Sequence, residues 1–173
     1  MARIPDIEEH EHPELAQLIA RIKAERGRLP ELYQVLLHSP PVMEGWLGLF
    51  TAIRQKTKLG GRYRELAILR VAILNGADYE YRAHLPFALK EGATREQIDA
   101  LKAWPLSPLF DATERAVLAY TDSMTQQIQV PDALFEQVRK HFDTQDLVEL
   151  TATIAGYNLV SRFLEAMQVH HQS

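Results

Sequence analysis

The sequence predicts an all-α fold, and three observations lead to that prediction. Apolar residues recur at helical spacing in almost every segment of the 173-residue chain. No segment shows the apolar–polar alternation that is typical of a half-buried β-strand. Glycine, proline and capping residues stand at the ends of the apolar segments, where helices begin and end. Together these patterns predict about eight or nine helices.

The first part of the chain is predicted to form an N-terminal helical arm. The segment "PELAQLIARIKAERG" ends at Gly27 and is followed by a short helix, "LPELYQVLLHS", with Pro30 near its start. One apolar stripe of the first helix contains Leu15, Leu18, Ile19 and Ile22. We therefore divide a single domain, residues 1–173, into an arm (residues 1–40) and a core (residues 41–173).

The core is predicted to contain one helix that is buried on nearly all sides. After the apolar segment "PPVMEGWLGLFTAIRQK", the segment "GRYRELAILRVAILNG" carries apolar residues almost all round the helix and ends at Asn75-Gly76. A helix of this kind belongs in a core or at a subunit interface. It is one reason to expect a homo-oligomer.

The remaining helices carry clear start and stop signals. In "GADYEYRAHLPFALKEG", Asp78 is the predicted N-cap and Gly92 the predicted end. Thr94 with Gln97 forms a predicted capping box, and Asp111 is expected to cap "DATERAVLAYTDSMTQQI". A helix after Pro131 and a long closing helix with Gly156 inside it complete the prediction.

Composition excludes several classes of protein. The net charge of −4 argues against a nucleic-acid partner, which requires a basic surface. The absence of cysteine rules out a thiolate nucleophile and a thiolate metal site. No apolar run approaches the length of roughly 18 residues that a membrane helix needs, and the N-terminal residues do not resemble a signal peptide. We therefore expect a cytoplasmic protein with no membrane partner.

Three polar residues in the core form the candidate reactive group. Glu80 and His84 are four residues apart and share a helix face, so the carboxylate is expected to orient the imidazole. Pro86 cannot donate to the carbonyl of Arg82 and opens the helix beside His84. The alternative is a surface Glu–His pair beside a tolerated kink. Glu65 begins the buried helix, where it needs either a partner or an exposed first turn that complements the helix dipole.

The short connection between the two helices predicts that Glu65 approaches His84. Few residues join the helices, so they should run antiparallel, with Glu65 and His84 offset by about 6 Å along the axes. We expect the Glu65 carboxylate to reach His84 in a partly buried pocket, with Glu80 on the same face. A carboxylate partner raises the pKa of His84 and burial lowers it; we expect the partner to dominate and to leave a protonated histidine near neutral pH.

The segment "RELAILRVAILNGADYEYRAHLPFALKEGATREQIDAL" resembles the carboxymuconolactone decarboxylase and alkylhydroperoxidase D-like family. The resemblance covers roughly residues 59–102 and rests on Arg64-Glu65-Leu66, the apolar run 67–74, Glu80, His84, Ala88 and Gly92. It implies an all-α, alkylhydroperoxidase D-like helical fold that assembles into trimers or hexamers.

The family has a peroxidase branch and a decarboxylase branch. The two cysteines of the peroxidase branch would fall at Ala77 and Glu80, so thiol peroxidase activity is not expected. The decarboxylase branch resembles "YEWxxH", and this chain reads "YEYRAH", with Tyr81 in place of Trp. The resemblance implies cofactor-independent decarboxylation, or related acid/base chemistry, of a small lactone or keto carboxylic acid in aromatic-compound catabolism.

Decarboxylation needs an acid and a clamp for the carboxylates that stay on the substrate. We predict His84 as the acid, oriented by Glu80, with Glu65 as the second carboxylate. Predicted substrate contacts are Tyr81, Arg82, Arg70, Tyr157, Asn158 and Arg162. For the arginines the alternative is a solvated helix face, and for the closing helix it is ordinary core packing.

Two other classes of function remain open. A metal site formed by Glu65, Glu80, His84 and another histidine is disfavoured, because di-iron bundles use a Glu-x-x-His spacing on each of two helices, whereas Glu80 and His84 stand at Glu-x-x-x-His. We therefore expect neither a metal nor a cofactor. The second alternative is a non-catalytic ligand-binding or assembly protein with the same fold.

Overall fold

The computed structural model describes residues 2–170 and confirms the all-α fold class. Within these residues the chain forms helices and no strand. The α-helices are α1 (Ala16–Arg26), α2 (Glu31–Leu36), α3 (Pro40–Thr51), α4 (Gly61–Asn75), α5 (Asp78–Lys90), α6 (Arg95–Ala100), α7 (Ala112–Gln126), α8 (Asp132–Arg139) and α9 (Thr144–Met167). Short 3-10 helices occupy Glu9–Glu11, Pro13–Leu15 and Leu101–Leu106, and a π-helical stretch, Ala52–Lys56, follows α3. No helix in this part of the chain is long and apolar enough to cross a membrane.

The described residues form two compact units. One unit comprises residues 2–57 and 163–170, and the other comprises residues 58–162. The predicted division into an arm and a core at residue 40 stays a prediction about domain organisation.

The first unit contains α1, α2 and α3. The predicted apolar stripe of α1 is buried, and Gly27 ends the helix with a φ of 79°. At the C-terminal end of α1, Arg26 donates from Nε to the Tyr33 hydroxyl (2.7 Å) and from Nη2 to Thr51 Oγ1 (2.9 Å). These bonds link α1 to α2 and α3 and satisfy a guanidinium whose side chain is only 4% exposed.

The second unit is built around α4. Its apolar residues from Leu66 to Ala72 are buried, and Gly76 ends the helix in the left-handed region with a φ of 67°. Helices α5 and α7 pack against α4. This packing within one unit explains why α4 is apolar on most sides, without any subunit contact. The homo-oligomer therefore stays a prediction.

The start signals of the later helices are largely confirmed. Thr94 with Gln97, and Asp111 with Glu114, form capping boxes at the starts of α6 and α7. The predicted N-cap at Asp78 is wrong: Ala77 occupies the N-cap position, and Asp78 lies in the first turn of α5. There its carboxylate pairs with Arg82 on the surface.

Helix α4 also buries a positive charge, that of Arg70. Its guanidinium binds both carboxylate oxygens of Asp122 on α7, from Nε to Oδ1 at 2.6 Å and from Nη2 to Oδ2 at 2.9 Å. It also donates to the carbonyl oxygen of Leu101 at 2.9 Å, and the indole Nε1 of Trp104 donates to Asp122 Oδ2 at 3.0 Å. The pair therefore joins α4, α7 and the 3-10 segment at one point.

We predict that Asp122→Ala destabilises the protein by about 3 kcal/mol, because the substitution leaves the Arg70 guanidinium buried without its counter-charge. The matched control is Asp78→Ala, which breaks an ion pair whose side chains are 68% and 70% exposed. That control should cost about 1 kcal/mol or less. Urea unfolding of both variants measures the difference, and equal losses would contradict a structural role for the Arg70–Asp122 pair.

Candidate active site

Glu65 and His84 form a buried hydrogen-bonded pair between α4 and α5. Glu65 Oε2 lies 2.7 Å from His84 Nδ1, and the residues are 3% and 6% exposed. The turn at residues 75–78 sends α5 back along α4, which brings the first turn of α4 beside the middle of α5. The predicted approach of Glu65 to His84 is therefore present in the structure.

Both oxygens of the Glu65 carboxylate have partners. Oε2 faces His84, and Oε1 accepts from Nε of Arg64 at 3.2 Å. Burial by itself would raise the pKa of Glu65, but the hydrogen bond and charge of His84, together with Arg64, hold the pKa below its ordinary value. Glu65 is therefore ionised at neutral pH and favours the protonated form of His84.

Aromatic rings pack around the imidazole. The ring of Tyr157, on α9, meets that of His84 edge-on, with centroids 4.9 Å apart and an interplanar angle of 88°. The Phe87 ring lies 5.9 Å from the imidazole. The sequence predicted Tyr157 as a site residue but missed Phe87. The available signal was the spacing, because Phe87 stands three residues after His84 on α5 and so shares its face.

Glu80 does not orient His84, which corrects the sequence-based assignment. Glu80 is 2% exposed; its Oε2 is 2.7 Å from Ser161 Oγ on α9, and its Oε1 has no hydrogen-bond partner. The Glu65 carboxylate reaches Nδ1 instead, because it projects from the facing helix whereas Glu80 turns toward α9. Ser161 was missed by sequence reasoning, since only the packing of α9 on α5 brings it to Glu80.

The hydrogen bonds of Ser161 favour a protonated Glu80. Ser161 Oγ lies 2.7 Å from Glu80 Oε2 and 2.9 Å from the carbonyl oxygen of Tyr157. A hydroxyl carries a single hydrogen, so it cannot donate fully to both oxygens. Both contacts become good hydrogen bonds when Ser161 donates to the carbonyl and a protonated Glu80 donates to Ser161. Burial agrees, because it raises the pKa of Glu80 well above the ordinary value despite the opposing effect of Ser161.

Comparisons with known proteins identify the family of this chain. A model of the carboxymuconolactone decarboxylase family matches residues 40–123. The uncharacterised protein YdfG of Bacillus subtilis is 33% identical over 106 residues, which is 60% of this chain and 72% of YdfG. The uncharacterised protein YnjA of Escherichia coli is 30% identical over 148 residues, 84% of this chain and 76% of YnjA.

The chain belongs to the carboxymuconolactone decarboxylase family.

A solved structure supports the fold of this family member. The alkylhydroperoxidase AhpD core of an uncharacterised peroxidase-related protein from Ralstonia eutropha superposes with a TM-score of 0.84. The superposition covers 99% of this chain and 93% of that one, at 20% identity. At this identity the likeness supports the alkylhydroperoxidase D-like helical fold and says nothing of the reaction.

Three predicted substrate contacts of the family member are engaged in structural hydrogen bonds. Arg70 binds both carboxylate oxygens of Asp122, so a carboxylate of the protein itself engages its guanidinium in this structure. Asn158 accepts from Asn75 (3.0 Å) and donates to Thr125 Oγ1 (3.0 Å). The exposed Arg162 donates to the carbonyl and side-chain oxygens of Asn158 at 3.0 and 2.9 Å.

The remaining two predicted contacts lie on other parts of α5. Arg82 is on the surface in its pair with Asp78. Tyr81 is half-buried against the hydrophobic cluster that contains Leu66 and Leu101, and it lines a cavity of 260 Å³ at the α4–α5 turn. Of the six predicted substrate contacts, Tyr157 packs its ring against the imidazole of His84. Roles in substrate binding stay predictions for all six.

In the part of the chain that the structure describes, no three histidine, aspartate or glutamate side chains are arranged to hold a metal ion. His171, one of the terminal histidines, lies outside the described residues. The expectation that the protein needs no metal stays a prediction.

We predict that Glu80→Gln removes a loss of stability that the wild type shows as the pH rises. The pKa of Glu80 is raised in the folded state, so the folded state retains a proton that the unfolded state releases. Stability therefore falls from the unfolded pKa of about 4.3 until the folded pKa is reached, by at most about 1.4 kcal/mol per pH unit. Glutamine mimics the protonated side chain and cannot titrate. Urea unfolding between about pH 5 and 8 measures how the free energy of unfolding changes with pH. The control is Glu44→Gln, at an exposed glutamate. If both variants showed the same pH dependence as the wild type, a neutral Glu80 would be contradicted.

For Glu65 we expect the opposite dependence of stability on pH. Its pKa is lowered in the folded state, so its contribution to stability is present above the unfolded pKa of about 4.3 and is lost as the pH falls through the folded pKa. Glu65→Gln should cost about 2 kcal/mol of the free energy of unfolding near pH 7 and less in acid.

Removal of the Glu65 carboxylate should also lower the pKa of His84, which an NMR titration of the imidazole measures. An unchanged His84 titration would contradict a charged partnership.

Proposed function

We propose that this protein catalyses cofactor-independent decarboxylation of a small lactone or keto carboxylic acid. The observation that supports this proposal most strongly is the Glu65–His84 pair: an imidazole on a buried carboxylate, at 2.7 Å, in a chain without cysteine. Family membership supports this reaction class. The pair provides the acid that this class requires.

In the proposed reaction His84 supplies a proton and Glu65 maintains its charge. The bond between the substrate carbon and its carboxylate breaks, CO₂ leaves, and the electron pair moves into the neighbouring carbonyl as an enolate. The His84 imidazolium then protonates the carbon and becomes neutral, and it takes up one proton from the solvent, which balances the proton that the reaction consumes. Because Nδ1 faces Glu65, the proton reaches the substrate from Nε2. The ionised Glu65 stabilises the imidazolium before transfer.

A protonated Glu80 is compatible with an anionic substrate. An ionised Glu80 would add a second negative charge near Glu65 and would weaken the attraction of a substrate carboxylate. With Glu80 neutral, Glu65 is the one ionised carboxylate of the pair of glutamates, and it is flanked by Arg64 and His84. Burial of Glu65 and His84, with the Tyr157 ring against the imidazole, strengthens the electrostatic interaction between the pair and the developing enolate.

Peroxide reduction through a thiolate is not part of the proposal. The Ralstonia eutropha protein of the same fold is described as peroxidase-related. This chain contains no cysteine, and Glu80 stands at one of the positions where the peroxidase branch has its cysteines. We therefore propose that the same helical framework here holds a carboxyl group in place of a thiol.

We predict that one or more lactone or β-keto acids in a substrate screen release CO₂ with the purified protein, and that His84→Gln lowers the rate by about 10²–10⁴-fold, the usual contribution of a positioned acid. The matched control is His10→Gln, since His10 is an exposed histidine outside the site. It should leave turnover unchanged. An alkyl hydroperoxide assay runs in parallel and is expected to show no turnover.

Two outcomes would overturn the proposal. Unchanged CO₂ release by His84→Gln would show that His84 is not the acid. Binding of the screened acids without CO₂ release would instead support the alternative, a non-catalytic ligand-binding protein with this fold.

A further inference from the structure

A second cavity lies in the same unit, between α7, α8 and the 3-10 segment that contains Trp104. Its volume is 530 Å³, within the usual range for small-molecule sites. Helix α7 contributes alanines at helical spacing, whose short side chains leave the groove open. The full lining is Trp104, Pro105, Ala112, Arg115, Ala116, Ala119, Gln137, Lys140 and His141. None of these residues belongs to the Glu65–His84 site.

The charged groups of this cavity are all basic. Arg115, Lys140 and His141 line it, and no carboxylate does. Among the ion pairs of residues 2–170, none involves these three side chains. The chain as a whole carries a net charge of −4, so an uncompensated basic cavity is an exception on this protein. Uncompensated positive charge lining a concave surface attracts anions.

The arginine of the cavity is held in place before any ligand binds. Arg115 donates from Nη1 to the carbonyl oxygen of Ser107 and from Nη2 to that of Pro105, both at 2.8 Å. Its guanidinium carbon lies 5.6 Å from the centroid of the Trp104 ring. Neutral carbonyls fix the side chain without cancelling its charge, and further N–H groups remain for a ligand. Such preorganisation lowers the entropic cost of binding.

The histidine can act as a second donor. His141 Nδ1 lies 2.9 Å from the hydroxyl oxygen of Thr113. In the tautomer in which Thr113 donates to Nδ1, the hydrogen of the imidazole is on Nε2, where it can donate to an anion. The exposed ammonium of Lys140, one residue earlier, adds a mobile donor at the same rim.

We propose that this cavity binds a small organic carboxylate with an apolar ring. The basic side chains would bind the carboxylate, and Trp104, Pro105 and the alanines of α7 would contact the ring. A phosphate is a poorer fit, because it would leave the apolar part of the lining without a partner and because a helix N-terminus, which favours phosphate elsewhere, is not open to it here. Here the N-terminus of α7 is capped by the Asp111 carboxylate, which accepts from the Glu114 N–H at 2.8 Å. The proposal does not depend on decarboxylation at His84.

The test uses Trp104 as the reporter. The chain has two tryptophans, and Trp46 lies in the other unit, so Trp46→Phe leaves Trp104 as the sole indole. Titration of this protein with cyclohexanecarboxylate, which does not absorb where tryptophan does, should change the fluorescence saturably with a dissociation constant on the order of 1 mM. The neutral cyclohexanecarboxamide should bind far more weakly, since it lacks the charge.

Variants in the same background locate the site. Lys140→Gln or His141→Gln should weaken binding about threefold, and the double variant about tenfold, whereas Lys90→Gln, an exposed lysine on α5, should have no effect. Ala116→Leu, which fills the groove, should abolish binding in a protein with unchanged circular dichroism. Equal binding of acid and amide, an unaffected double variant, or no saturable response of Trp104 would each overturn the proposal.

Discussion

The fold of residues 58–162 depends on one constraint: α4 is buried from Glu65 to Ala72, and this stretch nevertheless carries two opposite charges. Glu65 and Arg70 cannot reach water, so each must bring a partner into the core. Glu65 recruits His84 from α5, and Arg70 recruits Asp122 from α7, with Trp104 completing the second cluster. The residues are five positions apart, about 140° around the helix, so their partners stand on different sides. The two ion pairs thereby fix the helices that flank α4 and place the imidazole of the candidate site.

Within the site, two buried carboxyl groups are held in opposite protonation states by their surroundings. Glu65 has a cationic neighbour on each oxygen, so its charged form is favoured although it is buried. Glu80 has only the Ser161 hydroxyl, so burial dominates and the neutral form is favoured. In the proposed reaction, the ionised Glu65 is therefore the charged partner of His84, and the neutral Glu80 adds no second negative charge.

Much of this arrangement could be predicted from particular residues. Gly27 and Gly76 end helices where expected, because a glycine directly after a helical apolar run readily adopts the left-handed conformation that ends a helix. The capping box at Thr94 and the cap at Asp111 were equally clear. The Glu65–His84 contact followed from a short turn and the rise per residue, which are local quantities. Glu80 was misassigned for the same reason: helical spacing put it beside His84, and spacing says nothing of which neighbour across the core competes for its carboxylate.

The sequence by itself determined the helical fold class, most helix ends and the pairing across the α4–α5 turn, since each depends on residues close together in the chain, and its composition excludes a cysteine thiol. Only the tertiary structure decided which side chains share an environment. Ser161 beside Glu80, Asp122 on Arg70, and the cavity of Arg115, Lys140 and His141 join residues from helices far apart in sequence. Burial and long-range partners set protonation and charge compensation, and neither is encoded by spacing along a single helix.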